Sequence, residues 1–144
     1  MIEYTGRWTE EDKEKLIEII PTLTQNEIDV VNADFWNIHG RASQTPYLDR
    51  PIDSWNLWLL ICGRGFGKSR AGVQWCLWMI MQSKTPIKIT VVAATGADLL
   101  GTILTGPSGF LANAPKFMYP VWNRGSDWLT FPNGSEVRCY TSSA

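Results

Sequence analysis

The sequence predicts an α/β fold, a parallel sheet with flanking helices, on three observations. Residues 58–62 (WLLIC) form a continuous apolar run ending in a glycine cluster, the pattern of a strand buried on both faces of a parallel sheet. Residues 68–82 follow with Ala71, Val73, Trp75, Cys76, Leu77, Trp78, Met79, Ile80 and Met81, apolar on nearly every side, as in a helix covered by other parts of a larger protein. Residues 87–94 (IKITVVAA) are a β-branched run and give a second strand.

The other elements follow in chain order. From Thr9 an acidic first turn leads into Leu16, Ile17, Ile19 and Ile20, which predicts a capped helix stopped by Pro21. A second helix is expected after Thr24, with Ile28, Val30, Val31 and Phe35 at mixed helical spacing. Residues 37–54 hold Gly40, Pro46 and Pro51 and read as an ordered connection, so residues 1–54 form a helical preface and 55–144 the main fold. Residues 96–104 predict a helix closed by Gly106 and Pro107. Residues 128–131 and 135–140 flank Pro132, Asn133 and Gly134, a hairpin signal. Trp75 and Trp78, three apart on one helix, suit either a stacking platform for bases or core packing, and core packing is the expected role.

The chain has 144 residues, 44% hydrophobic and 19% charged, which supplies one packed core and too little length for two ordinary domains. That balance excludes a disordered tail, a collagenous repeat and a disulfide-stapled miniprotein. The longest apolar run, residues 55–63, falls short of the ~20 residues a membrane helix needs. An opening rich in acids, among them Glu3, Glu10, Glu11, Asp12, Glu14 and Glu18, is unlike a signal peptide, so a cytoplasmic location is expected. Those acids read as the solvated start of a helix complementing its dipole. Cys62, Cys76 and Cys139 lack C-x-x-C spacing, which points to reduced thiols with neither a disulfide framework nor a zinc site. Residues 1–35 carry nine acids and three bases, and residues 36–144 carry five acids and ten bases. The two stretches should have different neighbours, the basic one favouring a polyanion.

The informative stretch is Cys62-Gly63-Arg64-Gly65-Phe66-Gly67-Lys68-Ser69. Its Gly-Lys-Ser ending between a strand and a helix is the core of a phosphate-binding P-loop. Glycines let backbone N–H groups turn toward phosphate oxygens, and the helix N-terminus adds its positive dipole end. Lys68 would reach the β- and γ-phosphates, and the Ser69 hydroxyl would hold Mg²⁺. Cys62 stands where the bare pattern G-x-x-x-x-G-K-S/T has its first glycine. The dinucleotide fingerprint G-x-G-x-x-G fails, because Lys68 occupies the third glycine position. Arg64 is either an arginine supplied in cis to a transferred phosphoryl group or a solvated or ion-paired loop residue. Arg70 is more ambiguous still.

Hydrolysis also needs acids at strand ends, and beyond the loop only Asp98, Asp127 and Glu136 are present, none closing an apolar strand. The chain is therefore expected to cradle a nucleotide without the groups that hydrolyse it. His39, the only histidine, reads as a polar loop residue.

With those residues in view, the chain resembles the large terminase subunit of tailed double-stranded DNA bacteriophages, an ATP-driven packaging motor with a nuclease. The likeness runs through Leu23-Thr24, Arg41-Ala42-Ser43-Gln44-Thr45-Pro46, Trp55-x-x-Trp58-Leu-Leu-Ile, the loop extended through Arg70-Ala71-Gly72, and Trp75. It continues through residues 91–96, Gly106-Pro107-Ser108-Gly109, Phe131-Pro132-Asn133-Gly134-Ser135 and Ser142-Ser143-Ala144. The resemblance implies a P-loop ATPase sheet, ATP and Mg²⁺ as cofactors, Lys68 and Arg64 in catalysis and Ser69 at the metal. Gln44 with Pro46 would lie at the family's adenine-recognising glutamine motif, and residues 63–70 would surround the phosphates. Double-stranded viral DNA, a portal protein and a small terminase subunit would be partners, an oligomeric ring the assembly, and the bacterial host cytoplasm the setting. The family continues with an Asp-Glu strand and a nuclease domain, so an amino-terminal portion is expected here, with an incomplete ATPase domain. A helicase-like P-loop ATPase and a noncatalytic nucleotide-binding or partner-docking fragment are the alternatives.

Overall fold

In the computed structural model, which describes residues 8–33, 35–48 and 52–142, the first helix begins where Thr9 supplies its cap. Expectations falling on Glu3, Pro51, Ser143 and Ala144, and on the Phe35 side chain, lie outside the described residues. The chain divides into two compact units, Met1–Phe66 and Gly67–Ala144, and the division falls inside the glycine loop.

In the first unit, helix α1 (Glu10–Ile19) opens with a reciprocal cap: the Asp12 N–H donates to Thr9 Oγ1 at 3.1 Å and the Thr9 N–H donates to Asp12 Oδ2 at 2.9 Å. Pro21 ends it through a 3₁₀ turn, Ile20–Thr22. Helix α2 (Gln25–Ala33) repeats the device, the Thr24 N–H donating to Glu27 Oε2 at 2.8 Å. A short α3 (Phe35–His39) places exposed His39 in its last turn. The described residues of the expected connection form 3₁₀ turns at Ala42–Gln44, Pro46–Leu48 and Ile52–Ser54.

Residues 58–62 do not form the expected strand. Leu57, Leu59 and Ile61 are 79%, 69% and 86% exposed, alternating with half-buried Trp58, Leu60 and Cys62. A strand buried on both faces requires neighbours on both edges, and among the described residues no strand pairs with this run.

The second unit opens with α4 (Lys68–Gln82), which buries Ala71, Val73, Gln74, Cys76, Leu77 and Ile80 and keeps Trp75 and Trp78 half-buried. Strand β1 (Lys88–Ala93) follows, then α5 (Gly96–Asp98), which runs into π-helical turns over Leu99–Leu104. The wide turn is visible where the Thr105 N–H donates to the Leu100 carbonyl at 2.9 Å. Helix α6 (Phe110–Asn113), a 3₁₀ turn at Lys116–Met118, and strands β2 (Val121–Asn123), β3 (Trp128–Thr130) and β4 (Glu136–Thr141) complete the chain.

The sheet order is β1-β4-β3-β2, with β1 and β4 parallel and the other two pairs antiparallel. The sheet is thus mixed: the β1–β4 pair is parallel as expected of the main sheet, and β2, β3 and β4 are antiparallel because short turns join them in succession. The expected hairpin is β3–β4, with Trp128 opposite Arg138 and Thr130 opposite Glu136. Its turn needs Gly134, at φ 84°, and is fastened from outside: Asn133 Nδ2 donates to the Ile80 carbonyl at 2.9 Å, and the Ile87 N–H donates to Ser135 Oγ at 3.1 Å. Val73, Leu77, Ile80, Leu99, Leu104, Phe110, Leu129 and Val137 form the core of this unit.

A Cβ at Gly106 would lie 2.1 Å from the Gly101 carbonyl oxygen, whereas one at Gly101 meets nothing within 4 Å. Gly106→Ala should therefore cost about 1–3 kcal/mol in urea unfolding. Gly101→Ala should be neutral or stabilise by up to about 1 kcal/mol, because it restricts the unfolded chain. Asp12 is held below its ordinary pKa of 3.8 by the Thr9 hydroxyl and then the Thr9 N–H. A lowered carboxylate stabilises the fold above its ordinary value and loses that contribution as pH falls through the folded one. Carboxyl NMR titration of Thr9→Ala should return Asp12 toward the ordinary value.

Candidate functional site

The loop expected to hold phosphate is built from backbone. Gly65 and Gly67 adopt φ of 81° and 90°, left-handed torsions that side chains with a Cβ rarely accept. Gly67 is the N-cap of α4 and has no side chain with which to cap it. Helix bonding starts there, the Ala71 N–H donating to the Gly67 carbonyl at 2.9 Å. The first-turn N–H groups of a 15-residue helix thus begin at a residue that blocks nothing. Gly63 and Gly65 are exposed, and a Cβ built on either meets no atom within 4 Å. From residue 54 to residue 97 the chain holds five bases and no acid, a charge signal additional to the motif. Left-handed glycines, a helix N-terminus without a side-chain cap and a local excess of bases are the features a phosphate-binding loop requires.

The side chains around the loop differ in how far they are committed. Arg64 is exposed and, among the described residues, makes no ion pair. Lys68 is exposed and Ser69 half-buried at the start of α4. Arg70 is turned to its own unit: Nη1 donates to the Pro107 carbonyl at 3.1 Å, and with the Gln74 amide oxygen facing it, Nε and Nη2 donate at 3.0 and 3.1 Å. Partial burial holds the Arg70 pKa below its ordinary value. Arg64 and Lys68 belong to different compact units.

Gln44 stands apart from the rest. It is 6% exposed, its Nε2 donates to the Phe66 carbonyl at 2.6 Å, and its Oε1 accepts from the Arg41 N–H at 3.2 Å. The partners dictate the amide orientation, since one offers only an acceptor and the other only a donor. The Arg41 guanidinium lies 5.4 Å from the centre of the Phe66 ring, a cation–π contact. The sequence marks Arg41 only as the head of the 41–46 stretch and assigns it no role, although the Arg-x-x-Gln spacing at the start of a turn is there to be read.

The acids after the loop are partly committed. Thr95 caps α5, its Oγ1 accepting from the Asp98 N–H at 3.1 Å and donating to Asp98 Oδ2 at 2.8 Å, and Glu136 pairs with Arg138 at 2.9 Å. No group of three or more metal-ligating His, Cys, Asp or Glu side chains occurs among the described residues. No described helix is long and apolar enough to cross a membrane. No family model, curated protein or solved structure matches the chain.

Burial pushes the Cys76 thiol up to about 12 and the Cys139 thiol up to about 11, while Cys62 beside the loop is half-buried. Iodoacetamide at neutral pH should label Cys62 first, with Cys76 and Cys139 reacting only after denaturation, as read by peptide mass spectrometry.

Proposed function

We propose that the chain binds ATP with Mg²⁺ through residues 63–70, as the nucleotide-binding portion of a terminase large subunit that drives viral double-stranded DNA into a procapsid. The observation that carries the nucleotide reading is the pair of left-handed glycines, Gly65 and Gly67, running into the uncapped N-terminus of α4. The packaging assignment rests on the order of motifs around that loop, the internal Arg64 above all. In this reading the N–H groups of Gly63, Gly65, Phe66 and Gly67 and the Lys68 ammonium hold the phosphates, with Arg70 supporting the helix start. Ser69 Oγ ligates the metal, and Arg64 neutralises charge at the terminal phosphate. The bound nucleotide would supply a phosphoanhydride whose cleavage drives movement. The acidic residues 1–35 would face protein partners, a portal or a small subunit, in a ring working in the host cytoplasm.

A second reading, a noncatalytic nucleotide-binding module, is favoured by the commitments of Asp98 to Thr95 and Glu136 to Arg138. In either case this 144-residue chain should bind nucleotide and turn it over negligibly. Mg²⁺-ATP at a hundred times its dissociation constant should add about 2.7 kcal/mol of apparent stability. Lys68→Ala should abolish that gain in thermal melts. Absence of any gain in the parent chain would overturn the binding claim, and rapid Lys68-dependent turnover would overturn the noncatalytic one.

A further inference from the structure

We propose that Gln44 is a positioning residue for the phosphate loop, acting through the Phe66 carbonyl, and that it does not read the nucleobase. The proposal rests on the nucleotide reading above and deepens it.

An amide that reads adenine must present its oxygen and its nitrogen together to one edge of the base. Gln44 is 6% exposed and has turned the two groups to different backbone partners, Arg41 N–H and Phe66 C=O. Its neighbours fix it there. The Thr45 hydroxyl donates to the Arg41 carbonyl at 3.1 Å, the Gln44 N–H donates to the same carbonyl at 2.8 Å, and Tyr47 Oη donates to Asn37 Oδ1 at 2.9 Å. Gly40 leaves room for the turn, since a Cβ there would fall 2.6 Å from the Trp36 carbonyl oxygen and 2.9 Å from Thr45 Cγ2. The rotamer is therefore set before any ligand arrives.

The consequence passes through one peptide plane. The Phe66–Gly67 peptide is trans, as are all the described peptides, so its C=O and N–H point in opposite directions. Holding the Phe66 oxygen against Gln44 turns the Gly67 N–H the other way. Without the Gln44 donor, that peptide is free to rotate about a glycine that tolerates both hands of φ. The Arg41 guanidinium over the Phe66 ring restrains the same residue from its side chain. Gln44 thus reduces the number of loop conformations that a phosphate chain must select.

Gln44→Met retains the length and removes the donor without adding charge. Calorimetry with Mg²⁺-ATP, Mg²⁺-GTP and Mg²⁺-tripolyphosphate should show all three weakened by the same factor, about three- to tenfold for one lost hydrogen bond. A loss confined to ATP, with tripolyphosphate unchanged, would mean that Gln44 reads the base and would overturn the proposal. So would a lowered melting temperature with all three affinities unchanged. In the unsubstituted chain, the Gln44 side-chain amide signals in NMR should move equally with Mg²⁺-ATP and Mg²⁺-tripolyphosphate; a shift specific to ATP overturns the proposal without any variant. If the parent chain binds none of the three ligands, the nucleotide reading itself falls and this inference with it.

Discussion

The second unit depends on one pairing, the parallel ladder of β1 with β4 from Lys88 opposite Glu136 to Ala93 opposite Thr141. Parallel strands cannot be joined by a tight turn, so residues 94–135 have to leave the sheet and return. On the way they supply Leu99, Leu104 and Phe110, which meet Leu129 and Val137 of the sheet and Leu77 and Ile80 of α4 in one core. Each such side chain contributes about 1.5–3 kcal/mol when fully buried. The ladder is extended at both ends, the Glu136 N–H donating to the Ile87 carbonyl and the Ser142 N–H to the Ala93 carbonyl, each at 2.9 Å. Helix α4 is fixed to the same pairing through Asn133, which reaches the Ile80 carbonyl from the hairpin turn. The helix that begins at the loop is thereby held by the sheet.

What could be read in the sequence was what is decided locally. Thr9 with Asp12, the apolar content of residues 68–82, the β-branched run at 87–94 and the Asn133-Gly134 turn each carry their own physical cause, and the corresponding elements are present. Residues 58–62 show the limit. Their composition suits a buried strand, but a strand exists only through hydrogen bonds to a neighbour that the local pattern does not contain. What remains of the pattern is the period-two alternation of exposed Leu57, Leu59 and Ile61 with half-buried Trp58, Leu60 and Cys62. Strand β2 went unread for the related reason that three residues, Val121–Asn123, gain their identity only by pairing with β3. The widening of the helix at Leu99–Leu104 goes with a close approach of Gly106 to the Gly101 carbonyl that leaves no room for a Cβ, a contact across a turn rather than a residue preference.

The same division runs through the candidate site. Gly65, Gly67, Lys68 and Ser69 were legible because the torsions and charges they supply belong to the residues themselves. Gln44 was legible as a residue of interest, but its partner was not, because Phe66 lies 22 positions away and offers only a carbonyl. Backbone acceptors carry no sequence signature. The role of Arg41 was unreadable for the same reason, being a contact with the Phe66 ring and a backbone N–H given to Gln44.

These two kinds of constraint act on different parts of the loop. The glycines widen what the backbone can adopt, and freedom of that sort has an entropic cost that any ligand-binding conformation must overcome. A tether narrows it again. In this chain the tether is a neutral amide on a backbone carbonyl, so it restrains Phe66 without adding a charge. Glutamate could not make the same contact, because an ionised carboxylate only accepts and the Phe66 carbonyl needs a donor. Glutamine at residue 44 is therefore explained by the donor it supplies, and the restraint it exerts on Phe66 is independent of charge.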